Sequence, residues 1–199
     1  MWAELKRIIK PNWAIVLFGS EPFSSTLRMS NIKDFRYDII WEKERPTNIF
    51  FMKKQVWKVH ETISVFYKRQ PTYNPIMEER KFNTIWIWDL KTSKTHKNQK
   101  YKYSDWYDNT KVYPRSVLKI NRDTLKWSIH PTQKPVALIE YLIKTYTNEW
   151  ETVLDFTAGS FTTAVACENT NRKWICIDQD ENYFNIWINR LNSFNIVSE

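Results

Sequence analysis

One stretch constrains this chain more than any other: Val153-Leu-Asp-Phe-Thr-Ala-Gly-Ser-Phe-Thr-Thr-Ala-Val-Ala-Cys167. An apolar run closes on Asp155, a turn follows with Gly159 and small hydroxyl residues, and a second apolar run begins. The pattern reads as a buried strand, a tight turn and the start of a helix. A turn of this composition lets backbone N–H groups come close to a ligand, because little side-chain bulk covers the main chain. Shortly after it, Trp174-Ile-Cys-Ile177 is another apolar run, and it ends in Asp178. Strand, turn, helix, strand and acid, in that order, can hold a nucleoside, the carboxylate accepting hydrogen bonds from ribose hydroxyls. A ligand-free turn would share the glycine pattern, since short Gly motifs match many unrelated chains. Asp178 could also cap a helix beginning near Asn182.

Just upstream lies His130-Pro-Thr-Gln-Lys-Pro135. Thr132 can cap a following helix, and Pro135 is tolerated in a first turn. Lys134 and the free N–H groups there favour an anion. Helical spacing then runs to about Tyr146, with Leu138, Tyr141, Leu142 and Thr145 sharing a face. Strands are predicted at 152–156 and 173–178 around a helix near 161–169. A last helix places Phe184, Trp187, Ile188 and Leu191 on one stripe. Earlier in the chain, residues 1–9 read as a helix with Leu5, Ile8 and Ile9 together. The run at 14–18 reads as a buried parallel strand. Ser20 can cap a helix entered at Glu21-Pro22, and 37–41 and 62–67 read as further strands. Alternating strands and helices predict an α/β fold with a doubly wound, Rossmann-like sheet and helices on both faces.

The net charge of +8 is not spread evenly. Residues 68–127 hold 14 Lys/Arg against 6 Asp/Glu, and the remainder carries 16 of each sign. The same segment carries ten aromatics between Tyr73 and Trp127, and it lacks sustained periodicity. Clustered cations interleaved with stacking rings suit a phosphate backbone with extrudable bases, although a solvated basic surface would have the same composition. No run of about 18 uncharged apolar residues exists, and the first residues lack a secretory apolar stretch. The two cysteines match no metal spacing and read as buried thiols, so no metal is predicted and a cytoplasmic setting is expected.

Together these motifs resemble the S-adenosylmethionine-dependent DNA amino-methyltransferases, in the permuted beta-type order that puts the cofactor motifs last. Residues 155–163 are similar to that family's Asp-Pro-Phe-x-Gly-Ser-Gly-Thr-Thr turn. Phe156 and Thr157 replace Pro-Phe, and Phe161 replaces the last glycine. The resemblance extends to Trp2-Ala-Glu-Leu-Lys-Arg-Ile-Ile-Lys-Pro-Asn12, to His60-Glu61 and to Tyr113-Pro-Arg-Ser-Val117. It implies a cofactor site made of His130, Pro131, Thr132, Gln133, Lys134, Asp155, Phe156, Thr157, Ala158, Gly159, Ser160, Phe161, Thr162 and Asp178. Within that set Asp155 meets the cofactor's ammonium group and Asp178 its ribose. S-adenosylmethionine is the implied cofactor and double-stranded DNA the implied partner. The expected divisions are 1–67 on the catalytic side, 68–127 for target recognition and 128–199 for the cofactor.

That family's chemistry lies in an Asp-Pro-Pro-Tyr loop, and no Pro-Pro pair occurs here. The resemblance puts Met1 just downstream of the loop. The expectation is a fragment or one half of a split enzyme, with the missing part on a separate chain and no catalytic residue among these 199. A methyl acceptor of adenine is expected ahead of cytosine. A non-catalytic DNA-binding protein on the same scaffold, or an RNA methyltransferase, would keep the same motifs. Only two glycines occur beside 11 tryptophans, where about 7% glycine is ordinary. Trp13, Trp57, Trp150 and Trp187 stand where such relatives carry glycine. Trp13 and Trp150 fall at predicted turns where positive φ would be natural. A codon for glycine read as tryptophan, or plain divergence, would each give this pattern.

Overall fold

The computed structural model describes residues 1–80, 110–122, 133–182 and 185. The chain divides into two compact units, Met1–Asn74 with Arg115–Glu199, and Pro75–Pro114. In the smaller unit β4 (Glu78–Glu79) pairs antiparallel with β5 (Lys111–Val112).

The larger unit is α/β. It contains α1 (Trp2–Ile8), β1 (Ile15–Gly19), α2 (Phe23–Ser30), β2 (Phe35–Glu42), a 3-10 turn (Ile49–Phe51), β3 (His60–Phe66) and β6 (Val117–Lys119). After these come α3 (Val136–Tyr146), β7 (Thr152–Asp155), α4 (Thr162–Glu168) and β8 (Lys173–Cys176). Four strands form one sheet in the order β1-β3-β2-β6, and β7 with β8 forms a second. β3 is antiparallel to both neighbours, β6 is parallel to β2, and β8 is parallel to β7.

β3 is covered on both faces, because alternate side chains of a strand point to opposite sides. Ile63 and Val65 join Trp41, Leu118 and the α3 residues Leu138, Leu142 and Tyr146 in one core cluster. On the other side Phe66 meets the Trp2 ring of α1 at 4.9 Å and Phe35 at 5.6 Å. Trp41 is 1% exposed, and its indole N–H donates to the Ile120 carbonyl at 2.8 Å, so its one polar atom is satisfied inside the core.

α3 joins the two sheets. Its Leu138, Leu142 and Tyr146 pack on the four-stranded sheet, while Ile139 and Ile143 pack with Ala166 and Cys167 of α4. Phe18 of β1 and Val153 of β7 both reach that second cluster. Yet among the described residues β1 pairs only with β3, and β7 only with β8. The two edges share a hydrophobic cluster without sharing a ladder.

Several expectations change. The 14–18 run is antiparallel to its partner and only half-buried, since a continuous apolar run reports burial and carries no information on direction. Ser20 is not the cap of α2. Pro22 occupies that position, and the Glu21 carboxylate takes the Ser25 N–H at 3.2 Å and its hydroxyl at 2.6 Å. In α1 only Leu5 is buried, and Ile8 is 48% exposed. α3 buries two faces where one was expected, adding Ile139, Ile143 and Tyr146. β6, a three-residue strand, lay unrecognised in the segment read as aperiodic. The predicted final helix with Phe184, Trp187, Ile188 and Leu191 lies outside the described residues.

Among the described residues, three non-glycine residues adopt positive φ: Trp150 at 66°, Phe161 at 55° and Asn171 at 57°. Trp150 therefore occupies a turn of the predicted kind, while Trp13 does not. Trp150 is 69% exposed and has little burial to lose, whereas Phe161 is 1% exposed and packs with Ala158, Ala164, Trp174 and Cys176. Left-handed backbone costs a non-glycine residue about 1–2 kcal/mol, and removing a buried Phe side chain costs about 3–5 kcal/mol. Trp150→Gly is thus expected to raise the thermal midpoint by a few degrees, on the order of 1 kcal/mol. Phe161→Gly should lower stability by about 2 kcal/mol despite the same relief of strain. Thermal melts of the two variants check this pair, and a Trp150→Gly chain no more stable than the parent would remove the strain argument.

Candidate cofactor site

β7 ends at Asp155, and its backbone continues straight into a turn stitched to the end of β8. The Ile177 N–H donates to the Asp155 carbonyl at 2.8 Å, and the Ala158 N–H donates to the Ile177 carbonyl at 3.0 Å. Both oxygens of Asp155 are engaged inside the turn. One accepts the Thr157 N–H at 3.1 Å, the other the Thr163 hydroxyl at 2.6 Å. Gly159 adopts φ 51°, a conformation that only glycine takes without a steric cost. That twist aims its N–H at Asp178, 2.7 Å from Oδ2. Asp178 Oδ1 accepts the Asp180 N–H at 2.9 Å. The acid after the second strand thus meets the glycine of the turn after the first. A carboxylate oxygen can accept more than one hydrogen bond, so these contacts orient Asp178 and leave it able to meet a hydroxyl.

The Ser160 and Thr162 hydroxyls lie 3.0 Å apart in buried surroundings. The Phe161 ring is buried and packs with Ala158 of the turn, Ala164 of α4, and Trp174 and Cys176 of β8. Thr157 is exposed, and Phe156 is half-buried beside it. Burial pushes the Cys176 thiol up to about 12, with the Asp155 carboxylate adding to the effect. Burial does the same to Cys167, also to about 12. Both thiols are free and protonated at neutral pH, which suits packing and not nucleophilic chemistry.

His130, Pro131 and Thr132 lie outside the described residues. Gln133 is half-buried, and Lys134 points to Glu61 of β3, with N–O 3.2 Å, and over the Phe18 ring at 5.4 Å. The other Glu61 oxygen holds Lys43 at 2.9 Å, whose side chain is 2% exposed and sits over the Trp41 ring. Burial works to raise the Glu61 pKa, and the two ammonium groups outweigh it, so the carboxyl titrates below its usual 4.5. This triad ties the segment entering α3 to the sheet. Lys43 had no signal in the sequence, because a buried lysine reads like any other lysine until its partners are in place.

Direction matters as much as contact. α3 runs antiparallel to β2: Lys134 enters beside Glu61, and the Tyr146 hydroxyl at its far end lies 2.7 Å from that of Tyr37. Arg172, just before β8, donates to Thr147 just after α3 at 3.1 Å. β7 and β8 therefore start at the far end of α3. A surface groove there, lined by Trp150, Glu168 and Trp174 among others, lies at the strand starts, whereas ligands of open α/β sheets sit beyond the strand ends. The groove is remote from Asp155 and Asp178.

A family model described as DNA methylase (N6_N4_Mtase) matches residues 1–189. The chain belongs to that DNA methylase family. It is 27% identical over 197 residues to the Type II methyltransferase M2.LlaDCHI of Lactococcus lactis subsp. cremoris, covering 96% of this chain and 65% of that one. It is 26% identical to the DNA adenine methyltransferase YhdJ of Escherichia coli K12, covering 96% and 64%. The chain thus spans about two thirds of the length of these curated relatives. Among solved structures, the M1.HpyAVI complex with S-adenosylmethionine superposes with a TM-score of 0.63 at 27% identity, over 94% of this chain and 78% of that one. The cytosine-N4-specific PvuII DNA methyltransferase, at 18% identity and a TM-score of 0.58 over 92% and 72%, shares the fold. No helix among the described residues of this DNA methylase family member is long and apolar enough to cross a membrane.

Glu61→Gln would leave Lys43 buried without a counter-charge, a loss of about 3 kcal/mol. Because the Glu61 pKa is depressed on folding, its contribution is complete above 4.5 and fades as pH falls through the lower folded value. Denaturant titrations from pH 7 to pH 3 are expected to show the variant weakest relative to the parent at neutral pH, with the gap narrowing in acid. A gap that stays constant with pH would mean the carboxylate charge contributes nothing.

Proposed function

We propose that this chain carries the cofactor-binding and DNA-recognition parts of an S-adenosylmethionine-dependent DNA amino-methyltransferase of restriction-modification type. The methyl group goes to an exocyclic amino nitrogen of a DNA base, with adenine ahead of cytosine. The observation that carries the proposal is the closed link from Gly159 to Asp178 at the ends of two parallel strands. When bound, S-adenosylmethionine supplies an electrophilic methyl group. Asp178 orients the ribose, Asp155 meets the ammonium group, and the backbone of Phe156, Thr157, Ala158, Gly159, Ser160, Phe161 and Thr162 forms the wall against the methionine part. His130, Pro131, Thr132, Gln133 and Lys134 close the carboxylate end, with Lys134 held in place by Glu61. Residues 68–127 provide target recognition, between a catalytic-side segment at 1–67 and a cofactor segment at 128–199. The setting is the cytoplasm.

No residue of this chain is assigned to catalysis. The absence of a Pro-Pro pair supports placing the Asp-Pro-Pro-Tyr loop on polypeptide outside these residues, in the same protein or a separate chain. The β1 and β7 edges, which share a cluster and no ladder among the described residues, support a strand from that polypeptide between them.

Isothermal calorimetry with S-adenosylmethionine tests the reading. The parent chain is expected to bind. Asp178→Asn should bind ten- to a hundredfold more weakly, matching the loss of charge-assisted hydrogen bonds worth about 1.5–3 kcal/mol. A folded parent chain that shows no heat of binding would leave a DNA-binding scaffold in place of a methyltransferase. For the second part, turnover on mixed DNA by this chain alone would refute the need for further polypeptide.

A further inference from the structure

β2 and β3 are joined by a loop that displays its apolar residues instead of hiding them. Phe50 is 98% exposed and Val56 89%, and Ile49, Phe51, Met52 and Trp57 are each about half exposed. Exposure of this much contiguous apolar surface marks an interaction site. The loop is also built to hold its shape. Asn48 clamps its base, donating from Nδ2 to the Val56 carbonyl at 3.0 Å and accepting the Lys58 N–H at Oδ1 at 2.7 Å. The Thr47 N–H donates to the Lys58 carbonyl at 3.0 Å, and the Lys43 N–H to Val59 at 2.7 Å, extending the β2–β3 ladder to the neck. Inside the tip, the N–H groups of Phe51, Met52, Lys54 and Gln55 all find carbonyls within the loop.

Its charge selects the partner. Between residues 45 and 58 stand Arg45, Lys53, Lys54 and Lys58, with no acidic residue. Lys53 and Lys54 are exposed beside the rings. A rigid apolar tip flanked by cations matches side chains that wedge between base pairs while lysines neutralise the adjacent phosphates. An apolar protein surface would supply no anions for four cations to meet.

We propose that the 48–58 loop is a DNA-inserting wedge: Phe50 and Phe51 enter the base stack of a duplex, and Lys53 and Lys54 anchor it on the phosphates. The proposal rests on the DNA reading above and adds a second, local contact to it. The clamp by Asn48 pre-organises the tip, so little ordering entropy opposes insertion. The loop leaves the sheet at the end where Lys134 meets Glu61, since β2 ends at Glu42 opposite His60.

The test uses the full 199-residue chain and a duplex carrying 2-aminopurine, whose fluorescence rises on unstacking. The parent is expected to raise the signal several-fold. Phe50→Ser/Phe51→Ser should bind the duplex within about threefold of the parent, yet leave the signal flat. Lys53→Gln/Lys54→Gln should reduce the slope of log K against log salt by about 2. An equal fluorescence rise with the serine pair overturns the wedge, as does a parent that binds no duplex. If the serine pair behaves like the parent on DNA but loses association with an added catalytic-loop polypeptide, the tip is a protein interface and the proposal fails. Cofactor calorimetry on the same samples separates the two layers. A parent that binds cofactor and duplex without unstacking overturns the wedge alone, and one that binds neither overturns the methyltransferase reading with it.

Discussion

The larger unit depends on one helix being apolar on two sides. α3 packs Leu138, Leu142 and Tyr146 against the four-stranded sheet and Ile139 and Ile143 against α4 and β7. Among the described residues no ladder connects the two sheets, so hydrophobic burial along α3 carries the connection. Burial is non-directional and scales with area. Position along the helix is therefore set by polar contacts at each end. Lys134 on Glu61 fixes the start, and the Tyr37 hydroxyl against Tyr146 fixes the finish. Burial pushes the Tyr146 phenol up, so it stays neutral and the pair remains a hydrogen bond between two uncharged groups.

The crevice inherits this arrangement. Asp155 spends its carboxylate on holding the turn, and Asp178 spends part of its own on the Gly159 N–H. Two acids that look alike in sequence thus have different partners, Asp155 within its own turn and Asp178 across to the Gly159 N–H. Phe161 adds a third support. It accepts a left-handed backbone and offsets that cost by burial of its ring, which is why a position suited to glycine tolerates a phenylalanine. Trp150 has the same backbone problem without the burial, the residue being 69% exposed. That contrast favours glycine at position 150 on physical grounds, while Trp13 and Trp57 give no such signal.

Membership of the DNA methylase family, matched over residues 1–189, takes in both the strand-end turn and the strand-end acid that meet at Gly159 and Asp178. The basic loop at 45–58 extends the chemistry away from the crevice. Both its exposed rings and its lysines stand outside the aromatic, basic segment at 68–127 to which the charge count pointed, because the balanced signs of the remaining residues hide a short local excess.

Local order was legible in the residues themselves: β2, β3, α3, β7, α4 and β8 all follow from apolar runs, turn residues and helical spacing. These signals are local, since periodicity and turn chemistry depend on neighbours in the chain. Strand direction for β1, the second buried face of α3, the short β6 and the Lys43–Glu61–Lys134 triad were decided by tertiary structure alone. Each depends on which surfaces meet across long stretches of chain. A lysine acquires its buried role, and a strand its direction, only when a distant partner supplies the counter-charge or the ladder.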